Sequence, residues 1–163
     1  MAKILITDDQ EDVRALLRFM LETLGHEVTE ATDGADALAR VQIETFDVIM
    51  LDVQMPGVGG YEVLEALRDI AGFDTPVIMV TGQNEPHEIL KEAQRGALER
   101  VAKPFTIGEL QRTLERVLAM SDDERLHRKQ DLAQRAEMVD SMRDLRETMT
   151  DDQASYGKGR HRS

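Results

Sequence analysis

The residue with the clearest chemical potential in this chain is an aspartate that ends a short apolar run. Asp52 follows Val48–Leu51, and Pro56 and Gly57 force a turn a few residues later. A run of this length between turn signals is typical of a strand that is buried on both faces of a parallel sheet. Ligand sites in open α/β sheets lie beyond the carboxyl ends of such strands, so Asp52 is the first candidate for a reactive residue.

Four more polar side chains stand at the ends of other predicted strands. Asp8 and Asp9 follow the first strand, Thr81 ends the fourth and Lys103 follows the fifth. Taken alone, each of these residues is most simply a helix cap or a solvated loop charge. Five residues of compatible chemistry at one edge of the sheet favour a functional site instead. Three carboxylates repel one another unless a cation compensates, and Mg²⁺ suits such ligands together with a phosphate. The set therefore predicts phosphoryl transfer, with Asp52 as the nucleophile and an aspartyl phosphate as the product.

The elements that position these residues alternate between strand and helix. The predicted strands are 3–7, 26–31, 47–52, 77–80 and 98–102, and helical periodicity fills the intervals. Five such alternations predict an α/β fold with a parallel sheet. Right-handed crossovers favour a flavodoxin-like doubly wound (βα)5 arrangement with strand order 2-1-3-4-5, followed by a C-terminal helix.

Composition limits the classes of function. The net charge of -12 argues against nucleic-acid binding, and no apolar stretch is long enough to span a bilayer. The chain enters a strand at once, without the apolar region of a signal peptide, and contains no cysteine, so we expect a cytoplasmic protein. Residues 1–120 carry 22 of the 32 acidic residues but 11 of the 20 Lys and Arg, which predicts a domain boundary near residue 120.

Residues 121–150 are predicted to form one helical extension. A capping box at 121–124 starts it, and no Gly or Pro interrupts it. Two apolar registers compete: one holds Val139 and Met142, and the other holds Met138, Met142, Leu145 and Met149. Neither reaches the three to four heptads of a convincing coiled coil, so partner binding and folding back onto residues 1–120 both remain open. Residues 151–163 have little to bury and are predicted to be a disordered tail.

Residues 1–120 resemble a two-component response-regulator receiver domain of the CheY-like superfamily over that family's whole length. The matching segments are 4–9, 51–60, 80–82, 96–97 and 103–105. The resemblance implies a stand-alone response regulator in a phosphorelay. It also implies a signalling protein whose only expected chemistry is its own phosphorylation and dephosphorylation. The implied phosphodonor is a sensor histidine kinase or a histidine phosphotransfer protein.

The resemblance also implies roles for the residues around the acceptor. Asp52 would accept the phosphoryl group, and it would bind Mg²⁺ together with Asp9, with Asp8 through a water molecule, and with the backbone carbonyl of Gln54. Gln54 and Gln83 would flank the water that attacks the phosphoryl group.

Thr81, Lys103 and Pro104 would report the modification. Thr81 would follow the phosphoryl group, Lys103 would contact its oxygens, and the Lys103–Pro104 bond would be cis. The sequence departs from the family at Arg100, where an aromatic residue usually stands. Because Arg prefers a carboxylate partner, the signal could be read through charge on the face of the fourth helix, fifth strand and fifth helix. Alternatively, Arg100 is a surface residue and Thr81 alone carries the signal.

We expect the output to be protein–protein contact, without direct nucleic-acid or membrane binding. The contact would be with a downstream partner or a second copy, through residues 121–150 and the face just described. Two alternatives compete with this interpretation. One is a constitutive dimerisation or scaffold protein that uses the C-terminal helix and carries a receiver-like regulatory domain. The other, disfavoured by the lack of a substrate cap, is a small-molecule phosphatase that uses Asp52 and Mg²⁺.

Overall fold

Five strands alternate with five helices, and a long sixth helix follows. The computed structural model describes residues 1–82 and 85–156, with the backbone alone for 151–156. The strands are β1 (Lys3–Thr7), β2 (Glu27–Ala31), β3 (Val48–Leu51), β4 (Val77–Thr81) and β5 (Glu99–Ala102). The helices are α1 (Glu11–Thr23), α2 (Gly34–Ile43), α3 (Gly60–Arg68), α4 (Pro86–Gln94), α5 (Ile107–Ala119) and α6 (Asp122–Tyr156).

The strands form one parallel sheet in the order β2-β1-β3-β4-β5, which confirms the predicted flavodoxin-like topology. The central strand β3 is buried along its whole length, as its continuous apolar run predicts. In the register, Thr7 lies opposite Leu51, and Thr81 lies opposite Ala102. The carboxyl ends of these four strands are therefore nearly level, and the residues that follow them meet along one edge of the sheet.

Apolar side chains pack on both faces of the sheet. Ile4 and Ile6 belong to one core cluster, with the buried residues of α1 and α5. Leu5 belongs to the other cluster, with the buried residues of α2 and α3. This alternation is the two-residue period of a strand, and it covers both faces with helices. Polar side chains are thus concentrated at the strand ends.

The segment 57–60 is a turn, as predicted, and it brings α3 against the end of β3. Gly57 has a φ of 74°, in the left-handed region that favours glycine. Gly60 packs so closely that a Cβ there would collide with the carbonyl oxygen of Asp52. A glycine is therefore required at residue 60 for this approach.

Helix α6 starts at the predicted capping box. The Ser121 N–H donates to Glu124 Oε2 at 2.6 Å, and the Glu124 N–H donates to Ser121 Oγ at 3.2 Å. The helix continues to Tyr156, so residues 151–156 are helical and not part of a disordered tail. The physical reason is that no helix-breaking Gly or Pro occurs before Gly157. The rest of the predicted tail, 157–163, lies outside the described residues.

One part of this helix folds back onto the receiver, as one of the two expectations had it, and another part projects. The beginning of α6 packs against α4, and Ala136 of α6 is buried. Further along, the exposed seam of Met138, Met142, Leu145 and Met149 has each side chain 64–67% exposed. Within residues 1–82 and 85–156, no helix has the length and apolar character needed to cross a membrane.

Candidate functional site at the sheet edge

The three predicted aspartates form one cluster. Asp8, Asp9 and Asp52 each offer a carboxylate oxygen, and these oxygens lie within 4.8 Å of one another. Asp8 and Asp52 are buried, whereas Asp9 is exposed to solvent. The cluster therefore has a buried floor and an open side through which a ligand could enter.

Lys103 supplies a positive charge to the buried floor of this cluster. Its Nζ lies 2.8 Å from Asp8 Oδ2 and 3.5 Å from Asp52 Oδ2. Its backbone N–H donates to the Thr81 carbonyl at 2.9 Å, so the end of β5 is held beside the end of β4. The ammonium is thereby fixed close to Asp52 while its shorter contact is with Asp8.

Asp52 is electrostatically unusual. Burial, with a smaller contribution from the neighbouring Asp8, raises the pKa of its carboxyl from 3.8 to about 6, although Lys103 and the Gln54 N–H oppose the rise. The N–H of Gln54 donates weakly to Asp52 Oδ1, at 3.4 Å. A carboxylate in this position is stabilised by any cation that reaches it, because a cation offsets both the burial and the repulsion.

The remaining predicted residues of the set lie around this cluster. Thr81 is buried at the end of β4, and Gln54 follows Asp52 in the next loop. The Lys103–Pro104 bond is cis, as the resemblance implies. Gln83 lies outside the described residues.

Arg100 lies on β5 and does not join the cluster. Its Nε donates to Glu92 Oε2 at 2.9 Å and its Nη2 donates to Glu92 Oε1 at 3.3 Å. The preference for a carboxylate partner is therefore confirmed. The pair joins β5 to α4, with Glu92 only 2% exposed. Burial raises the pKa of Glu92, and Arg100 opposes the rise.

Sequence reasoning missed Glu92 as the partner of Arg100. A signal was present, because Glu92 lies three residues after Ile89 and just before Ala93, within the apolar stripe of α4. A carboxylate at such a position needs a buried cationic partner, and Arg100 follows eight residues later.

The donor set of the aspartate cluster fits a hard divalent cation. Its ligands are carboxylate oxygens, two are buried and one is exposed, so an ion held there could keep water molecules and bind a phosphate oxygen. Mg²⁺ prefers this combination. The raised pKa of Asp52 is a second observation in its favour, because burial and the neighbouring Asp8 disfavour the ionised carboxyl and a bound cation would offset both effects.

A family model described as the response regulator receiver domain matches residues 4–115. The chain belongs to this family. The receiver is 34% identical over 120 residues to the alkaline phosphatase synthesis transcriptional regulatory protein PhoP of Bacillus subtilis, covering 74% of this chain and 50% of that protein. It is 36% identical over 121 residues to the tetrathionate response regulatory protein TtrR of Salmonella typhimurium, covering 74% and 58%. The chain thus spans about half the length of the curated relatives it matches.

Solved receiver structures support the same assignment. The chemotaxis protein CheY4 of Vibrio cholerae is 38% identical with a TM-score of 0.69, covering 72% of this chain and 98% of that one. TrrA of Thermotoga maritima, solved in complex with Mg²⁺-BeF, is 31% identical with a TM-score of 0.65, covering 72% and 99%. The chain accordingly carries a response regulator receiver domain, and an additional C-terminal helix follows it.

Proposed function

We propose that Asp52 accepts a phosphoryl group from a histidine kinase or a histidine phosphotransfer protein, in a reaction that depends on Mg²⁺. The observation that carries this proposal is the convergence of Asp8, Asp9 and Asp52 on one sheet edge, with the Lys103 ammonium touching two of them. Phosphoryl transfer needs such an arrangement, because its catalysis consists mainly of positioning and charge neutralisation.

Asp52 performs the covalent step. One of its carboxylate oxygens bonds to phosphorus as the phosphorus–nitrogen bond of a donor phosphohistidine breaks, and the imidazole leaves as the neutral base after taking a proton. Lys103 already lies 3.5 Å from Asp52 Oδ2, so its ammonium is placed to bind an oxygen of the incoming group. The Thr81 hydroxyl, at the end of the neighbouring strand, would donate to another oxygen.

Asp8, Asp9 and Asp52 would hold Mg²⁺, together with the backbone carbonyl of Gln54. When bound, the ion neutralises charge on the phosphoryl oxygens. The open side of the site at Asp9 leaves room for the donor, and the buried floor at Asp8 keeps Lys103 in place.

The charge pair of Arg100 and Glu92 would transmit the change to the protein surface, with Thr81 and Pro104 at the strand ends. The pair joins the strand that leads to Lys103 with helix α4, so a shift of β5 relative to α4 must strain or break a bidentate contact. Arg100 would thus act through its ion pair, in contrast with the rotating ring of other receivers.

The signal would leave the protein through contacts with other proteins. The surfaces available are the face of α4, β5 and α5, and the exposed seam of α6, which lies on the part of the helix that projects. The exposed seam also favours a second candidate, self-association through α6 that does not depend on phosphorylation. Light scattering with and without a phosphoryl mimic separates the two. A cytoplasmic location remains part of the proposal.

Titration of the full chain with beryllofluoride and Mg²⁺ tests the acceptor. We expect saturable binding that requires Mg²⁺ and that Asp52→Asn abolishes. Asp69→Asn is the matched control, since Asp69 is an exposed carboxylate at the end of α3, and it should bind as the parent does. Equal binding by Asp52→Asn and the parent would contradict the proposal.

A further inference from the structure

The first part of α6 lies on a surface that α4 and β5 form together. We define the docked half of α6 as residues 122–136. Within it, Arg128 Nε donates to the carbonyl oxygen of Leu98 at 3.3 Å, and Arg128 Nη2 lies 2.5 Å from Glu99 Oε1. The same oxygen of Glu99 accepts from Arg116 Nε at 3.1 Å. The α6 helix is therefore held to β5 by one shared carboxylate, and it also packs against α4.

The docked helix does not close against the receiver along its whole contact. A cleft of about 120 Å³ remains between α6 and the receiver, and its lining includes Ile89, Leu98, Arg100, Arg128 and Leu132. Voids of this kind forfeit the dispersion contacts of a close-packed interface. Arg128 is also part-exposed, at 39%, so its ion pair contributes modestly.

The surface under α6 is built from the two elements that lead to the site. Strand β5 begins at Glu99, directly after Leu98, and is followed by Lys103, whose Nζ contacts Asp52. Helix α4 carries Glu92, which pairs with Arg100 of β5 at the edge of the cleft. A displacement of β5 relative to α4 would therefore change the docking surface and the Lys103 contacts together.

We propose that the docked half of α6 is a clamp that the receiver holds while Asp52 is unmodified and loosens when Asp52 carries a phosphoryl group. The clamp rests on the proposed function of Asp52. A phosphoryl group brings a charge of about −2 beside Lys103, which now makes its shorter contact with Asp8. Lys103 moves toward that charge, β5 follows, and the fit between Glu99 and Arg128 is lost.

The direction follows from the structure. The docked helix and the Lys103–Asp8 contact occur in the same conformer, so docking stabilises that conformer. Any ligand that prefers another conformer must bind against the docking free energy. Release also frees the helix that carries the exposed seam. With about 100° per residue, that seam lies roughly 130° around the helix from the docked side chains, so the receiver leaves it available to a partner.

Hydrogen–deuterium exchange of the full chain measures the clamp. Tertiary contacts protect the amides of a docked helix beyond what the helix alone provides, so undocking must speed amide exchange in residues 122–136. With Mg²⁺ and beryllofluoride we expect that exchange to quicken by at least about fivefold. Amide exchange in peptides that contain Asp52 should become slower, and this change reports independently that the mimic is bound.

The reciprocal measurement uses two arginine variants of the same helix. By thermodynamic linkage, weakening the clamp must tighten beryllofluoride binding to the extent that the mimic weakens the clamp. Arg128→Gln should therefore lower the dissociation constant of beryllofluoride by about threefold to tenfold. Arg135→Gln also removes one positive charge, from an exposed ion pair with Asp131, and it should leave the dissociation constant of beryllofluoride unchanged.

The two proposals fail in different ways. If the mimic binds and slows amide exchange around Asp52 while residues 122–136 exchange as before or more slowly, the clamp proposal is wrong and the proposal that Asp52 is the acceptor is retained. Equal affinities in Arg128→Gln, Arg135→Gln and the parent would overturn the clamp as well. If the parent does not bind the mimic at all, the acceptor proposal is wrong, and the clamp proposal, which depends on it, is wrong as well.

Discussion

Replacing Asp52 by Asn should stabilise the metal-free protein. The pKa of Asp52 is raised from 3.8 to about 6 by burial, with Asp8 adding to the rise. A difference of about 2 pH units corresponds to about 3 kcal/mol, so the ionised carboxylate costs up to that much at pH 7. Asn has nearly the same shape and no charge, and Lys103 keeps its shorter contact with Asp8 in the variant.

The pH dependence has a definite sign. Because the folded-state pKa is raised, the folded protein takes up a proton more readily than the unfolded chain, and the cost of the charge disappears as the pH falls from 6 toward 3.8. The advantage of Asp52→Asn over the parent should therefore be constant above about pH 7 and vanish near pH 4.

Urea unfolding followed by circular dichroism, with a chelator present, provides the assay. Asp69→Asn is again the control and should change the free energy of unfolding by less than about 0.5 kcal/mol. Added Mg²⁺ should stabilise the parent more than Asp52→Asn, because binding to the folded state alone adds to stability. An Asp52→Asn variant no more stable than the parent at about pH 7.5, or an advantage that persists unchanged to about pH 4, would contradict a raised pKa at Asp52.

Three further predictions concern the elements around the site. Gly60→Ala should cost about 1–3 kcal/mol of unfolding free energy and weaken beryllofluoride binding, because its Cβ meets the Asp52 backbone; unaltered binding and stability would contradict the close approach. Glu92→Gln should lower the unfolding free energy by about 1–3 kcal/mol. In a double-mutant cycle with Arg100→Gln, the two losses should be clearly non-additive, and additive losses would show that the two side chains are not coupled. A chain ending at residue 140 should keep the unfolding free energy of the parent within about 0.5 kcal/mol, and a chain ending at residue 120 should lose about 1–3 kcal/mol of it. Urea unfolding measures both, and equal unfolding free energies for the two shortened chains would mean that α6 does not dock.

The fold and the cluster could be predicted because their signals are local. Each strand is a short apolar run with its own stop, and the residue after the stop falls at the sheet edge whatever the helices do in detail. The run that ends at Asp52 and the acids that follow Thr7 therefore located the cluster without any knowledge of packing. Right-handed crossovers left few possible topologies, and the flavodoxin-like order preferred among them is the observed one.

The behaviour of α6 could not be predicted because it depends on residues distant in sequence. The residues of both apolar registers, at 138–149, are exposed, and the docked part of the helix lies before them, against α4 and β5. Arg128 meets Leu98 and Glu99, about thirty residues earlier in the chain, and no local pattern announces that contact. For the Glu92–Arg100 pair, the sequence predicted that Arg100 would prefer a carboxylate partner, but it did not identify Glu92 as that partner.

The central claim is that Asp52 is the residue that becomes phosphorylated. Peptide mapping by mass spectrometry, after the full chain is incubated with a small-molecule phosphodonor and Mg²⁺, tests it directly. We expect one phosphoryl group on the peptide that contains Asp52. Hydroxylamine should remove it, and it should not form when Mg²⁺ is chelated. A phosphoryl group on another residue, or labelling of Asp52 that is equal with and without Mg²⁺, would contradict it.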